Sequence, residues 1–144
     1  PHSLKSTLIC VDHPVCVARC KHPIMKHKKI SVEQYLNHEH AAVTYSEAGV
    51  LLGDRLLLEQ GYSKRRVTLT TTNALAILPI IAESNFLFSI GELFAKKYCK
   101  PFNLDYRPLP KGAPEIPIAL AWSATYDTCV WHRWLRGFIR DLKF

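Results

Sequence analysis

Apolar and polar positions along this chain follow two periods, one of about two residues and one of about 3.6. Residues 7–11 and 15–18 alternate as strand segments, separated by the break Asp12-His13-Pro14. A basic loop over 21–29 contains Pro23, and Ser31 then opens a short helix that ends by Asn37. Gln34, three residues after Ser31, completes a capping box, and Ile30 and Tyr35 are spaced as a hydrophobic staple. Strand and helix then alternate: a strand over 41–45, a loop with Ser46 and Gly49, and a helix over 50–60 stopped by Gly61. A β-branched strand over 67–70 leads into a helix capped by Thr72 or Asn73 and running to about Glu83, with a kink expected at Pro79. A strand over 86–90, a helix over 92–98 and a short strand over 105–109 follow.

Pro108, Pro110, Pro114 and Pro117 make the next stretch a stiff extended connector. Residues 118–122 form a strand, and Asp127 or Thr128 is placed to cap the last helix. In that helix Trp131, Trp134, Leu135, Phe138, Ile139 and Leu142 share one face, and Arg133, Arg136, Arg140 and Asp141 the other. The alternation predicts an α/β fold whose parallel sheet is covered on both sides. Residues 41–109 have the elements of a complete small lobe, and 1–40 with 110–144 those of a partial one. Two lobes joined by two crossings form the layout of a hinged, ligand-clamping fold.

At 144 residues the chain has the length of one ordinary domain, and its 48% apolar content is enough for a core. Pro1 stands where an initiator methionine is expected, so the chain is read as processed or cut from something longer. The opening residues lack the pattern of a secretion signal. The longest apolar run, 74–82, is about half of a membrane span and contains Pro79, so no membrane is expected. Five cysteines, an odd number, suit free thiols in the reducing cytoplasm better than a disulfide scaffold. The charge of +7 is scattered, with clusters at Lys26, Lys28, Lys29 and at Lys64, Arg65, Arg66. With no helix-turn-helix, finger or aromatic ribbon in the sequence, it reads as a solvated basic surface.

Open α/β sheets bind ligands beyond the carboxyl ends of their strands. Those ends fall at Tyr45-Ser46-Glu47, Thr70-Thr71-Thr72-Asn73, Ser89-Ile90-Gly91 and Ala121-Trp122-Ser123. Hydroxyls and backbone N–H groups there suit a carboxylate or another small anion, and Trp122 offers an apolar wall. Helix capping alone also accounts for Thr72 and Asn73. His38 and His40 alone fall short of the three or four matched ligands of a zinc site, and Cys16, Cys20 and His22 have a loose ligand-like spacing with no fourth partner evident in the sequence. Cys99 and Cys129 have no signature base beside them. Phosphate loops, serine elbows and paired-carboxylate motifs are missing from the sequence, so no catalytic residue, metal or cofactor is expected. The helix over 50–60 is apolar on more than one face, which fits either full burial or a protein contact.

The series from Asp12 through Val15-Cys16-Val17-Ala18-Arg19, His22-Pro23 and Ser31-Val32-Glu33-Gln34-Tyr35-Leu36 resembles LysR-type effector domains. There a strand ending "CVAR", an "HP" turn and an "S-x-E-x-Y-L" helix occur in this order. Val43-Thr44-Tyr45-Ser46, Leu57 to Gly61, Arg65-Arg66-Val67, Ile81 to Ser84, Leu109-Pro110, Ala119 to Trp122 and His132-Arg133-Trp134-Leu135-Arg136 continue the resemblance along essentially the whole chain. It implies a type 2 periplasmic-binding-protein-like fold with an incomplete first lobe. It also implies a small, aromatic or anionic inducer in the cleft, near Ser46, Thr72, Asn73, Ser89, Ile90 and Trp122. It further implies a homodimer, or a tetramer at full length, with the 50–60 helix contributing. Promoter DNA would be read by an amino-terminal winged helix-turn-helix outside this chain. Gly91, where the family usually has proline, and residues 124–130 depart from the pattern beside the cleft. The alternatives are a solute-binding protein of a transport system and a small enzyme using the same cleft.

Overall fold

The computed structural model describes residues 3–44, 52–110 and 112–142. Among these residues seven strands run in chain order: β1 (Leu4–Asp12), β2 (Pro14–Arg19), β3 (Glu39–Val43), β4 (Arg66–Thr71), β5 (Leu87–Gly91), β6 (Leu104–Pro108) and β7 (Ile116–Ser123). The helices are α1 (Val32–Leu36), α2 (Leu52–Glu59), α3 (Leu78–Ala82), α4 (Glu92–Tyr98) and α5 (Val130–Arg140). Two units divide the chain, one of Pro1–Asp12 with Glu115–Phe144, the other of His13–Pro114. The expected division at residue 40 differs from this one, because β2 hydrogen-bonds into the same sheet as β3 to β6.

In the larger unit the sheet order is β4-β3-β5-β2-β6. β3 runs parallel to β4 and β5, whereas β2 runs antiparallel to both β5 and β6. The sheet is therefore mixed, which corrects the fully parallel expectation. Strand–helix alternation sets the direction only of strands joined by crossovers, and β2 precedes the alternation. Side chains project to opposite faces at successive positions, and both faces of this sheet are covered. Val15, Val17 and Phe88 pack with Ile77, Leu78 and Ile81 of the α3 segment, with Ala95 of α4 and with Cys99 just after it. Cys16, Ala18 and Leu87 pack on the other face with Ile24, Met25, Ile30 and Tyr35. Burial on both faces explains the unbroken apolar run Val15-Cys16-Val17-Ala18.

The α1 start forms as its residues require. Ser31 Oγ accepts from the Gln34 amide, and the Ser31 amide donates to Gln34 Oε1. Helix α3 starts later than expected. Asn73 Oδ1 accepts from the amides of Leu75 and Ala76, making a tight turn, and Pro79 falls in the first turn of a helix that begins only at Leu78. Proline lacks the N–H that a helix interior needs, so it is accommodated at a helix start without a kink.

In the smaller unit β1 and β7 form an antiparallel ribbon from Leu4↔Ser123 to Asp12↔Ile116, with an irregularity between Leu8 and Cys10. A 3₁₀ turn over Ala124–Tyr126, capped by Ser123 Oγ, precedes α5. Cys129 occupies the cap position of α5 with no side-chain hydrogen bond, so neither Asp127 nor Thr128 caps this helix. Asp127 instead accepts from Lys5 Nζ at 2.5 Å and from Trp122 Nε1 at 3.1 Å. Helix α5 turns His132 and Arg136 toward Tyr126 and Trp122. It leaves Trp131 80% and Trp134 64% exposed, with Phe138, Leu135 and Val130 exposed beside them.

Candidate functional site

Because β3, β4 and β5 run parallel, their carboxyl ends share one edge of the sheet. The Thr44 amide donates to the Thr71 carbonyl at 2.9 Å, carrying the β3–β4 pairing to that edge. Thr71 Oγ1 accepts from the Asn73 amide at 3.1 Å, and Asn73 Oδ1 is engaged by two amides of the next turn. Thr72 and Asn73 are exposed at this edge. Ile90, the penultimate residue of β5, is partly buried against the α3/α4 side of the sheet. Ser89 is its neighbour and faces the α1 side, where its Oγ lies 2.6 Å from the Tyr35 hydroxyl. Four of the expected residues thus come to one end of one sheet, with Ser89 and Ile90 on opposite faces. The amide of Glu92 at the start of α4 donates to the His13 carbonyl and is already taken. Ser46 and the beginning of the expected 50–60 helix lie outside the described residues. Trp122 belongs to the smaller unit, where its N–H donates to Asp127 and the Arg136 guanidinium covers its ring at 4.4 Å. The carboxyl of Asp127 lies below its ordinary range because Lys5 and then Trp122 hydrogen-bond it.

A polar cluster that sequence reasoning missed lies behind Ser89. Arg65, expected on a solvated basic surface, has a side chain only 6% exposed, whereas Arg66 is 70% exposed. Arg65 Nε and Nη2 donate to Asp54 Oδ1 and Oδ2 at 2.6 and 3.2 Å, and Nη1 donates to the Tyr35 hydroxyl at 3.1 Å. Arg65 holds its proton more firmly than usual despite burial, through the Asp54 hydrogen bonds and its contact with Tyr35. Burial raises the Tyr35 phenol and outweighs the opposing pull of Arg65. Period-2 spacing does put Arg65 just before β4, but adjacent arginines carry no sequence mark of which one is inside. His40 is wholly buried. Its Nε2 bonds the Tyr35 carbonyl at 2.9 Å and its ring meets Tyr35 edge-on, while Nδ1 has no hydrogen-bond partner among the described residues. Burial first, then the positive Arg65, depresses its pKa to about 4.

The remaining titratable candidates are structural. His22 Nδ1 accepts from the Ile24 amide and its Nε2 bonds the Asn85 carbonyl, which fixes the turn Pro23–Lys26. His38 Nδ1 bonds the Gln34 carbonyl. Cys16 is buried whereas Cys20 is exposed, so the two thiols do not share a site with His22. Among the described residues, no group of three or more His, Cys, Asp or Glu side chains could hold a metal ion. Likewise no described helix is long and apolar enough to cross a membrane.

The family model of the LysR substrate binding domain matches residues 1–142. The HTH-type transcriptional activator NagR of a Ralstonia species is 33% identical over 128 residues, which are 89% of this chain and 42% of that protein. The chain thus spans less than half the length of this relative. A solved structure of a probable transcriptional regulator, PA0477 of Pseudomonas aeruginosa, superposes with a TM-score of 0.86 at 26% identity, over 99% of this chain and 47% of that one. The effector-binding domain of QuiR in complex with shikimate shares the fold at a TM-score of 0.76 and 12% identity, over 94% of this chain and 63% of that one. The CcmR regulatory domain of Synechocystis PCC6803 in complex with 2-PG does so at 0.80 and 14%, over 96% and 66%. The matched family is one of transcription regulators and not of enzymes. Matched from residue 1 to residue 142, the chain belongs to the LysR substrate-binding-domain family, the effector-binding regulatory domain of LysR-type transcription regulators.

Proposed function

We propose that this domain senses a small organic acid at the edge formed by the carboxyl ends of β3, β4 and β5, with Thr72, Asn73, Ser89 and Ile90 contributing. The observation that carries the reading is the convergence of Thr44, Thr71, Thr72, Asn73 and Ile90 on one end of three parallel strands. That is where open α/β sheets hold ligands. The exposed side chains of Thr72 and Asn73 there carry O–H and N–H donors that suit a carboxylate, and two proteins of the same fold are solved in complex with shikimate and with 2-PG. The family resemblance alone adds Ser46 and Trp122 to the candidates; Ser46 lies outside the described residues and Trp122 belongs to the smaller unit. In this reading the two units are two lobes joined by two crossings, and the smaller one is part of a lobe. Its bare apolar surface on α5 and on the ribbon supports that view, since a two-stranded ribbon with one helix buries little. The whole regulator is proposed to be cytoplasmic and to dimerise, with α2 in the contact. It would read promoter DNA through a separate winged helix-turn-helix and respond by a population shift between arrangements.

The test is an NMR titration of the labelled chain with benzoate, as the simplest aromatic carboxylate, and with a series of small aromatic acids. Saturable shifts at the amides of Thr72, Asn73 and Ile90 are expected. A series that leaves these amides unmoved, while the protein remains folded, overturns the site.

A further inference from the structure

We infer that Arg65 and Tyr35 are positioning residues that make Ser89 a hydrogen-bond donor to the effector, so that the site selects an acceptor group such as a carboxylate; this rests on the site proposed above. The order of protons follows from the inventory of donors. A guanidinium has no lone pair to offer, so the 3.1 Å contact between Arg65 Nη1 and the Tyr35 hydroxyl runs from Arg65 to Tyr35. The phenol proton must then point elsewhere, and among the described residues the other hydroxyl in reach is Ser89 Oγ at 2.6 Å. Tyr35 therefore donates to Ser89. The Ser89 hydroxyl keeps its own proton for a group beyond the cluster, and Ser89 is partly open to solvent.

The direction of the chain is fixed from its far end. Asp54 on α2 holds the guanidinium with two hydrogen bonds, which sets the plane from which Nη1 meets Tyr35. A permanent positive charge at one end polarises each hydroxyl in turn, which strengthens the donors that follow. A carboxylate or carbonyl oxygen is rewarded at Ser89, and a ligand offering only N–H groups there is not. Because Asp54 belongs to α2 and Ser89 to β5, the orientation of that one hydroxyl depends on where α2 sits.

Two measurements separate this inference from the site it rests on. Without ligand, NMR of the labelled chain at low temperature is expected to show a slowly exchanging Tyr35 hydroxyl proton with a cross-peak to the Ser89 β-protons. Ser89 should occupy one χ1 well in the wild type and several in Y35F, with the β2 and β5 amides retained. A slow Ser89 hydroxyl proton in its place, neither proton being seen, or an unchanged single χ1 well in Y35F overturns the inference whatever ligands do. With benzoate, S89A is expected to lose roughly tenfold in affinity, as for a hydrogen bond to a charged group, and S89T to stay within about twofold. S89A binding benzoate like the wild type also overturns the donor role. A wild type blind to aromatic acids, but with the Tyr35 proton order as stated, sinks the proposed site and leaves the proton order standing.

Discussion

Arg65 and Asp54 meet in a bidentate ion pair, Nε to Oδ1 at 2.6 Å and Nη2 to Oδ2 at 3.2 Å, with side-chain exposures of 6% and 11%. Pairs of this depth behave asymmetrically. Two charges taken from water gain little net stability together, but removing one leaves the other desolvated and unpaired. Asp54→Ala is therefore expected to destabilise the domain by about 3–5 kcal/mol in urea unfolding, and Arg65→Met by a similar amount. The double variant Asp54→Leu with Arg65→Met is expected to lie closer to the wild type than either single variant. Additive losses in the double variant would contradict the buried-pair account.

His40 gives the fold an acid sensitivity of calculable sign. Its folded pKa of about 4 lies below the ordinary 6.5, with Arg65, Asp54, Tyr35 and His38 as its polar surroundings. The unfolded chain thus binds more protons between these values, so stability is complete above pH 6.5 and falls as pH drops toward 4. The full loss is about 3 kcal/mol. His22, whose pKa is also lowered, chiefly by burial, adds a loss of the same sign. Urea midpoints of the wild type and of His40→Gln, which retains a side-chain N–H donor, should draw together from pH 7 to pH 5. Parallel curves for the two proteins would show that His40 does not titrate with folding.

Most of the fold could be read in the sequence wherever one local rule decided the outcome. Ser31 and Gln34 carry the capping box in their spacing, and the hydrogen bonds are those the spacing requires. The β-branched runs around Val15 and Val67 became β2 and β4 with ends shifted by a residue or so. Where several contacts had to be known together, the sequence was silent. The reversed direction of β2 depends on partners about 70 to 90 residues away. The burial of Arg65 beside an exposed Arg66 depends on Asp54 being there to receive it. At the candidate site, helix-start reasoning located Thr72 and Asn73 at the sheet edge, but the hydrogen bonds of Asn73 to its own turn show how much of that signal is capping. Ser89 was chosen as a strand end, and its real neighbour, Tyr35, was visible only as a staple residue.

The five cysteines should separate by reactivity. Burial pushes the Cys16 thiol up to about 12 and the Cys99 thiol up to about 11, while Cys20 is exposed. Thiolate, not thiol, is the nucleophile, so the two buried groups are doubly protected, by access and by protonation. Alkylation of the native chain at pH 8, followed by peptide mass analysis, is expected to label Cys20 first and Cys10 and Cys129 more slowly. Cys16 and Cys99 should react only in denaturant. Native labelling of Cys16 at the rate of Cys20 would place β2 at a solvent-accessible edge, contrary to its position between β5 and β6.

Helix α5 presents the largest mismatch between residue type and surroundings. Trp131 is 80% and Trp134 64% exposed, Phe138 lies stacked beside Trp134 at 5.8 Å, and Val130 and Leu135 extend the same bare surface. The helix is held from its other side. Arg136 covers Trp122 and bonds the Tyr126 and Asp127 carbonyls, and His132 stacks on Tyr126. The bare aromatic groups contribute little to the fold of this chain but are costly to leave in water, so copies of this chain by itself should associate through them, a contact separate from the α2 contact proposed for the whole regulator. Sedimentation of the chain at rising concentration is expected to show reversible self-association. Replacing Trp131, Trp134 and Phe138 together by glutamine should weaken it clearly while changing urea stability by no more than about 0.5 kcal/mol per site, the usual range for surface positions. Arg136→Ala is the contrasting change. It removes a cation–π contact, hydrogen bonds to the Tyr126 and Asp127 carbonyls and to His132 Nδ1, and an ion pair with Asp127, so it should lower stability by about 1–2 kcal/mol and leave the bare face and its association in place. If the triple variant unfolds more readily than Arg136→Ala, the aromatic face is packed inside the fold of this chain, and the assignment of α5's two sides is reversed.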